Sequence, residues 1–419
     1  MKISDVVYKT YDEVKEMPRF DMKMMPKKPK WYLQIVAWFL SFPETFAVKS
    51  NIIKHDMDKV QGPHIMLCNH NSFVDFKVAT RAIFPKRSTY IVAVDGFINR
   101  ENLMRNVGCF PKRKFVSDIA IIKQIRESIE THKVICQIYP EARYSLVGKT
   151  SPLPDSLGKL IKHTGYPVAT LISHGHHLRS PFWNLKPRKV KTKTDLSLIL
   201  TEQDIKVLSV EEINQKINKA FQYDDYKYQV EHNVEIKEPF RAEGLHKPLY
   251  MCPHCKREHV MDSKGHTLFC TSCNETYEMD VLGRLHNQNG NSIFTHIPDW
   301  FEWQRKMVRK EIEQNQYNVK MDVVIESLPN SDGFYRLGDG ELTHNENGFY
   351  LKGDGFEITK PVPANFGVHI EYDYFTKGDC ISFSTLNDTF YIYPKDQSYS
   401  VTKFHFATEE LFKYYNNLK

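Results

Sequence analysis

His70 and Asp75, five residues apart in the stretch CNHNSFVDF, are the pair in this 419-residue chain best suited to move a proton. An imidazole titrates closest to neutrality, so it can take the proton of a hydroxyl as that hydroxyl attacks an acyl carbon. A carboxylate at its other nitrogen would fix the tautomer and stabilise the imidazolium. The same residues have a plainer reading. Ser72-Phe73-Val74-Asp75 is spaced as a capping box, with the Ser72 hydroxyl on the Asp75 N–H and the Asp75 carboxylate reaching back. A helix start can hold both arrangements at once.

The second reactive group is the pair CPHC (252–255) and CTSC (270–273), separated by fourteen residues. Four thiolates from Cys252, Cys255, Cys270 and Cys273 suit one tetrahedral Zn²⁺ in a ribbon of two knuckles; with no open position, the metal would be structural. A redox role is the alternative, although two facing C-x-x-C motifs seldom serve one. SHGHHL (173–178) looks metal-like but offers adjacent His176 and His177, with no carboxylate or cysteine at ligand spacing. It reads as a polar loop at a substrate rim.

The elements around these residues follow from apolar periodicity. HIMLC (64–68), TYIVAV (89–94), VICQIY (134–139) and PVATLI (167–172) are short apolar runs of the kind found in strands buried on both faces. Ser117 to Lys133 places Ile119, Ile122, Ile125 and Ile129 at helical spacing, and Ser156 to His163 reads as a short helix stopped by Gly165. Alternating strand and helix predicts an α/β domain with a mainly parallel sheet flanked by helices. In such sheets chemistry gathers just past strand C-termini, where His70 and Glu141 fall. Residues 298–318 read as helix. After Met321 come short strands with turns at GDG, NENG and KGD, then a helix from Thr408 to Leu418, which predicts a small C-terminal β-barrel capped by a helix.

Charge divides the chain. Residues 321–419 hold 8 Lys/Arg against 15 Asp/Glu, while residues 1–320 hold 49 against 36. A basic body is expected to meet an anionic surface or substrate; the acidic tail argues against phosphoinositide binding and towards a protein partner or a packing role. The cysteine module lacks the aromatic–basic interleaving of nucleic-acid binders, so no nucleic-acid partner is expected. KKPKWYLQIVAWFLSF (27–42) sets cations before a Trp-bearing apolar stretch ending at Pro43, the composition of a helix lying in a membrane interface; a helix covering the core is the alternative. KPRKVKTK (186–193) reads as an exposed basic edge. No apolar run reaches 18 residues and the N-terminus lacks a signal-peptide h-region, so a cytoplasmic protein, peripheral on the inner face of the cell membrane, is expected. The remaining cysteines (Cys68, Cys109, Cys136, Cys380) lie among apolar neighbours, as reduced buried thiols do.

Four clusters taken in order, NHNSFVD (69–75), GCFPKRK (108–114), YPEARYS (139–145) and YPVATL (166–171), resemble the four motifs of the glycerolipid acyltransferases, the family of 1-acylglycerol-3-phosphate acyltransferase. The likeness covers about residues 30–235. It implies that His70 and Asp75 are catalytic and that Asn69, Arg113, Lys114, Glu141, Arg143 and Ser145 bind substrate, with cations holding the acceptor's phosphate. The third cluster departs from the family pattern: Ala142 stands for glycine, Arg143 for threonine and Tyr144 for arginine. The final domain resembles a pleckstrin-homology-like fold in architecture only.

The expected organisation is an interfacial segment (1–48), an acyltransferase domain (49–240), a zinc ribbon (248–287), a helical linker (296–320) and a pleckstrin-homology-like β domain (321–419). The resemblance implies transfer of a fatty acyl group from acyl-CoA or acyl carrier protein to a lysophosphatidate-like acceptor in phospholipid synthesis. An acyltransferase for another hydroxyl or amine acceptor is the first alternative, and a catalytically silent membrane-associated adaptor the second.

Overall fold

In the computed structural model, which describes residues 5–116 and 119–418, the first strand belongs to the last domain: β1 (Val7–Tyr8) pairs in parallel with a strand of the C-terminal sheet. The apolar runs β2 (Asn51–His55), β3 (Ile65–Cys68), β4 (Ser88–Ala93), β5 (Cys109–Lys112), β6 (Ile135–Ile138), β7 (Val168–His174) and β8 (Lys193–Leu200) form one sheet. Its order is β2-β8-β7-β3-β6-β4-β5, and every neighbouring pair is parallel except β7–β8. β3 and β6 are buried along their whole length, as strands covered on both faces must be.

The helices differ from expectation in detail. The start at Ser117 lies outside the described residues; the structure has an α-helix at Ala120–Arg126 running into a π-turn at Glu127–Thr131. Ile125 and Ile129 are buried, but Ile119 lies 86% exposed, before the helix begins. The helix Ser156–Thr164 ends at Gly165, whose φ of +74° is the left-handed cap that glycine supplies.

The N-terminal segment is two different things. Residues 7–30 form a strap across the molecule. Tyr11 stacks on Phe356, Phe20 N–H donates to the Pro329 carbonyl, and Gln124 donates to the carbonyls of Met22 and Met24. Only then comes the helix Trp31–Ala47, which continues through Pro43 rather than ending before it. Its amphipathicity is inverted. Gln34, Ser41 and Thr45 are buried, while Trp31, Phe39, Leu40 and Phe46 are 62–81% exposed. Ser41 and Thr45 satisfy their buried hydroxyls on helix carbonyls one turn back. No helix among the described residues is long and apolar enough to cross a membrane.

The cysteine module contains β9 (Met261–Lys264), β10 (Thr267–Cys270), β11 (Thr276–Met279) and β12 (Leu285–Asn287) in one antiparallel sheet. The C-terminal domain adds β13 (Val319–Ser327), β14 (Tyr335–Asn345), β15 (Gly348–Gly353), β16 (Phe356–Pro361), β17 (His369–Glu371), β18 (Cys380–Ser384) and β19 (Thr389–Pro394). They run β16-β15-β14-β13-β19-β18-β17, a curved antiparallel sheet compatible with a barrel-like domain.

Its last helix spans Thr402–Tyr415, six residues earlier than its expected start at Thr408, and all of Thr402–Leu411 is buried. It is therefore a central strut rather than an amphipathic cap. The helix Ile297–Glu313, expected as a linker, packs along it with Trp300, Val308 and Ile312 buried. One hydrophobic core runs from Leu146, Leu178 and Trp183 through the cysteine module to Phe404 and Phe406.

Candidate active site

His70 lies two residues past the C-terminal end of β3, and Glu141 and His176 follow β6 and β7, the two strands that flank it. Parallel neighbours end together, so all three side chains gather at one rim of the sheet. Asn69 fixes the spacing there: its amide Nδ2 donates to the Ser173 carbonyl at 2.9 Å and its Oδ1 accepts the Ser173 N–H at 2.8 Å. Asn69, expected to contact substrate, forms this pin with both ends of a side chain only 1% exposed.

The structure brings His70 and Asp75 together. His70 Nδ1 lies 3.1 Å from Asp75 Oδ2. The same oxygen accepts the N–H of Asn71 at 2.6 Å and of Ser72 at 3.0 Å. Half of the expected capping box is therefore present. The carboxylate reaches back, but the Ser72 hydroxyl has no partner and Phe73 takes the cap position of the helix Val74–Ile83. His70 Nε2 has no hydrogen bond within the described chain, and the ring lies between Tyr139 and Tyr144, at centroid distances of 4.4 and 4.1 Å. Burial alone would push the Asp75 carboxyl up; hydrogen bonds from His176 and His70, and their charge, outweigh it and hold it at about 2. Asp75 is thus an anion across the physiological range.

Sequence reasoning missed the second histidine on Asp75. His176 was expected in a loop at the rim, but it sits in a one-turn helix, fully buried, with Nδ1 2.5 Å from Asp75 Oδ1. The turn into that helix needs Gly175: its φ is +84°, and a Cβ there would meet the Lys191 carbonyl at 3.2 Å. The signal was available in principle, since His176 stands two residues past β7 just as His70 stands two past β3.

Glu141 and Ser145 were expected to touch substrate and instead brace His70 from behind. Glu141, 2% exposed, accepts the His70 N–H at 3.3 Å, the Ser151 N–H at 2.9 Å and the Tyr223 hydroxyl at 3.1 Å. Ser145 donates its N–H to the His70 carbonyl at 2.8 Å, and its hydroxyl bonds to Lys149. Between them, Ala142 holds a φ of +57°, the left-handed conformation that glycine adopts freely and alanine at a cost of about 1–2 kcal/mol. That geometry accounts for the glycine expected at this position.

Burial raises the Glu141 carboxyl from 4.5 to about 7. Between those values the folded chain binds more protons at this site than the unfolded chain does, so the site's contribution to stability falls as pH rises. The stability of wild type relative to Glu141→Gln should drop between pH 4.5 and 7 by on the order of 3 kcal/mol, at 1.36 kcal/mol per unit. Urea melts of both proteins across that range measure it; a constant difference would contradict the buried-brace assignment.

The three cations expected to meet a phosphate are held by the C-terminal domain. Arg113 donates to Thr389 Oγ1 at 2.9 Å and to the Asn387 carbonyl at 2.8 Å. Lys114 Nζ lies 2.7 Å from His369 Nε2. Arg143, 5% exposed, forms a buried ion pair with Glu409, whose other oxygen accepts from Arg305 at 2.6 Å. In the basic run 186–193, Lys186, Lys189 and Lys191 are exposed as expected, but Arg188 is buried over Trp183 and donates to the carbonyls of Leu178 and Arg241.

The four cysteines converge some distance along the chain. Their sulfurs all lie within 4.8 Å of one another, with Cys252–Cys273 at 3.7 Å and Cys255–Cys270 at 3.8 Å. A tetrahedral ion with Zn–S bonds near 2.3 Å separates its sulfurs by about 3.8 Å, whereas a disulfide would bring two to about 2.05 Å. The turn geometry repeats. Cys252 N–H donates to the Arg257 carbonyl and Cys270 N–H to the Glu275 carbonyl, while Lys256 and Asn274 both take positive φ. Two equivalent knuckles thus face one point, and the donor set fits a thiophilic metal.

No curated protein sequence matches the chain. Among solved structures, the 1-acyl-sn-glycerophosphate (LPA) acyltransferase PlsC from Thermotoga maritima is similar at 15% identity and a TM-score of 0.35, over 45% of this chain and 79% of that one. The family model described as Acyltransferase matches residues 49–174. The part of the chain that holds His70, Asp75 and their braces is therefore similar to the acyltransferase family.

Proposed function

We propose that the protein transfers a fatty acyl group from acyl-CoA or acyl carrier protein to the free hydroxyl of a lysophosphatidate-like acceptor. The observation that carries this reading is the His70 ring, tied to an anionic Asp75 through Nδ1 with Nε2 left unbonded. Nε2 takes the hydroxyl proton as the oxygen bonds to the thioester carbonyl carbon; the C–S bond then breaks and the proton passes to the departing thiolate. The acceptor supplies the nucleophile, so no acyl-enzyme is needed. The match of residues 49–174 to the acyltransferase family supports the reaction class.

A second reading, in which the acceptor lacks a phosphate, is favoured by one observation: Arg113, Lys114 and Arg143 are all engaged by the C-terminal domain. Labelled palmitoyl-CoA supplied with equal lysophosphatidate and monoacylglycerol separates the two when products are read by mass spectrometry. Predominant labelled phosphatidate supports the first reading, and labelled diacylglycerol alone moves the assignment to the second. No labelled lipid from any acceptor pool favours a silent adaptor.

The metal at the four cysteines is proposed to be one structural Zn²⁺, held by Cys252, Cys255, Cys270 and Cys273. Elemental analysis should return one zinc per chain, and Cys252→Ser/Cys273→Ser should lose it and unfold the module. Full metal content in the double variant would refute the ligand set.

The helix Trp31–Ala47 is proposed to lie on a membrane at the cytoplasmic face, with Lys27, Lys28 and Lys30 at the headgroups. Deleting the segment would also remove the strap, so point changes are the cleaner test. Phe39→Ser/Leu40→Ser/Phe46→Ser should move the protein from pellet to supernatant with anionic vesicles, and salt should weaken wild-type binding. Equal pelleting of both forms would assign the exposed face another role.

A further inference from the structure

We propose that His176 is a positioning residue for the proton transfer, holding the Asp75 carboxylate in the plane and orientation that serve His70. The inference rests on the base reading of His70 and goes beyond it. The two carboxylate oxygens have separate duties. Oδ2 serves His70 and the N–H groups of Asn71 and Ser72, all within five residues of Asp75 in sequence. Oδ1 faces the opposite way and meets one donor among the described residues, His176 Nδ1 at 2.5 Å.

The anchor to His176 is the contact that does not touch substrate: Oδ1 is in hydrogen-bond contact with His176 Nδ1, as Oδ2 is with His70 Nδ1. Both partners of the anchor are buried, His176 fully and Asp75 to 97%. A charge-assisted hydrogen bond is strong in such surroundings, and an unmade one is expensive. Without a donor at Oδ1, the buried carboxylate would take up a proton or turn towards other donors. Either change leaves the His70 imidazolium without an aligned anion as it forms.

His176 enters no bond-making step. Its Nδ1–H remains on Nδ1 throughout, and its Nε2 has no hydrogen-bond partner among the described residues. The ring is carried by a separate segment, the turn after β7, so its position is independent of the helix Val74–Ile83 that carries Asp75. Asp75 is thus gripped from two elements, which fixes its plane as one contact would not. His177, next in sequence, takes no part: burial and the Arg188 charge hold its pKa down at about 3, and its ring packs against Trp183 and Tyr226.

Two variants of similar size and polarity separate positioning from packing. The asparagine amide places a donor near imidazole Nδ1, and the glutamine amide places one near Nε2. With palmitoyl-CoA and lysophosphatidate as probes, His176→Asn should keep kcat within a few-fold of wild type. His176→Gln should lower kcat by about 10²-fold, the loss expected when a reacting group is misplaced by about 1 Å, with KM unchanged.

A second readout needs no turnover. The buried imidazole–carboxylate hydrogen bond should give an exchange-protected, downfield proton in the NMR spectrum of wild type and of His70→Ala, absent from His176→Gln. Equal kcat for the asparagine and glutamine variants, or persistence of that resonance in His176→Gln, would overturn the inference. An inactive His70→Ala beside a fully active His176→Gln would overturn it while leaving the base reading intact. An active His70→Ala would overturn the base reading itself, and this inference with it.

Discussion

His70→Ala is expected to lose nearly all acyl transfer, and Asp75→Asn to lose roughly 10²–10⁴ in kcat, the range for removal of a general base's contribution. The two losses have different origins. Alanine at position 70 removes the imidazole whose Nδ1 is tied to Asp75 and whose Nε2 has no hydrogen bond among the described residues, in a ring set between Tyr139 and Tyr144. Asparagine at position 75 keeps the shape but changes what the site accepts. One carboxylate oxygen takes three donors and the other takes His176, so an amide NH₂ must oppose at least one N–H. The alignment of His70 and the stabilisation of its imidazolium are both lost. Steady-state kinetics, with near-ultraviolet circular dichroism to verify folding, measure both; a His70→Ala turnover close to wild type would remove the mechanism.

Glu409→Ala is expected to destabilise the protein by about 3–5 kcal/mol, the penalty for stripping one partner from a buried ion pair. Burial opposes the charge of Glu409, but Arg143, His405 and Arg305 together hold its carboxyl far below the ordinary range. Removing it leaves the Arg143 guanidinium without its carboxylate in a site only 5% exposed, while Arg305 retains Glu410 and Glu302. The loss should shrink in Glu409→Ala/Arg143→Met, because no buried charge is then stranded at position 143. Chemical denaturation of the single and double variants measures the coupling, and additive losses would show that the pair does not interact. Arg143 lies two residues from Glu141 on the loop that braces His70, so this ion pair also ties the active-site loop to the C-terminal helix.

The parts legible in the sequence were those whose reasons are local. β3 and β6 are buried on both faces, so they were written as apolar runs, broken only by Gln137 in β6. The Gly165 stop and the two cysteine knuckles follow from backbone conformation within a few residues. β8 (KTDLSLIL) and the short, Pro-bearing β5 (CFPK) escaped because alternation or brevity hides them.

The site was half legible. His70 and Asp75 meet across one turn, so their spacing announced them. His176 reaches Asp75 across 101 positions and Arg143 reaches Glu409 across 266, and no local pattern records such pairings. The same limit explains the unforeseen partners of the three cations. Arg113, Lys114 and Arg143 read as free cations because their partners lie in a domain more than two hundred residues away. The last helix misled for a different reason: buried on all sides over Thr402–Leu411, it lacks the one-sided stripe by which a surface helix is recognised.

Label transfer by purified wild type and His70→Ala side by side tests most directly whether His70 is the base of an acyl transfer. Each protein would receive ¹³C-palmitoyl-CoA and a mixed lysophospholipid pool, with the lipids then analysed by mass spectrometry. Wild type should form a labelled acyl ester and His70→Ala essentially none. Equal label in both, or none in either with any acceptor supplied, would contradict it.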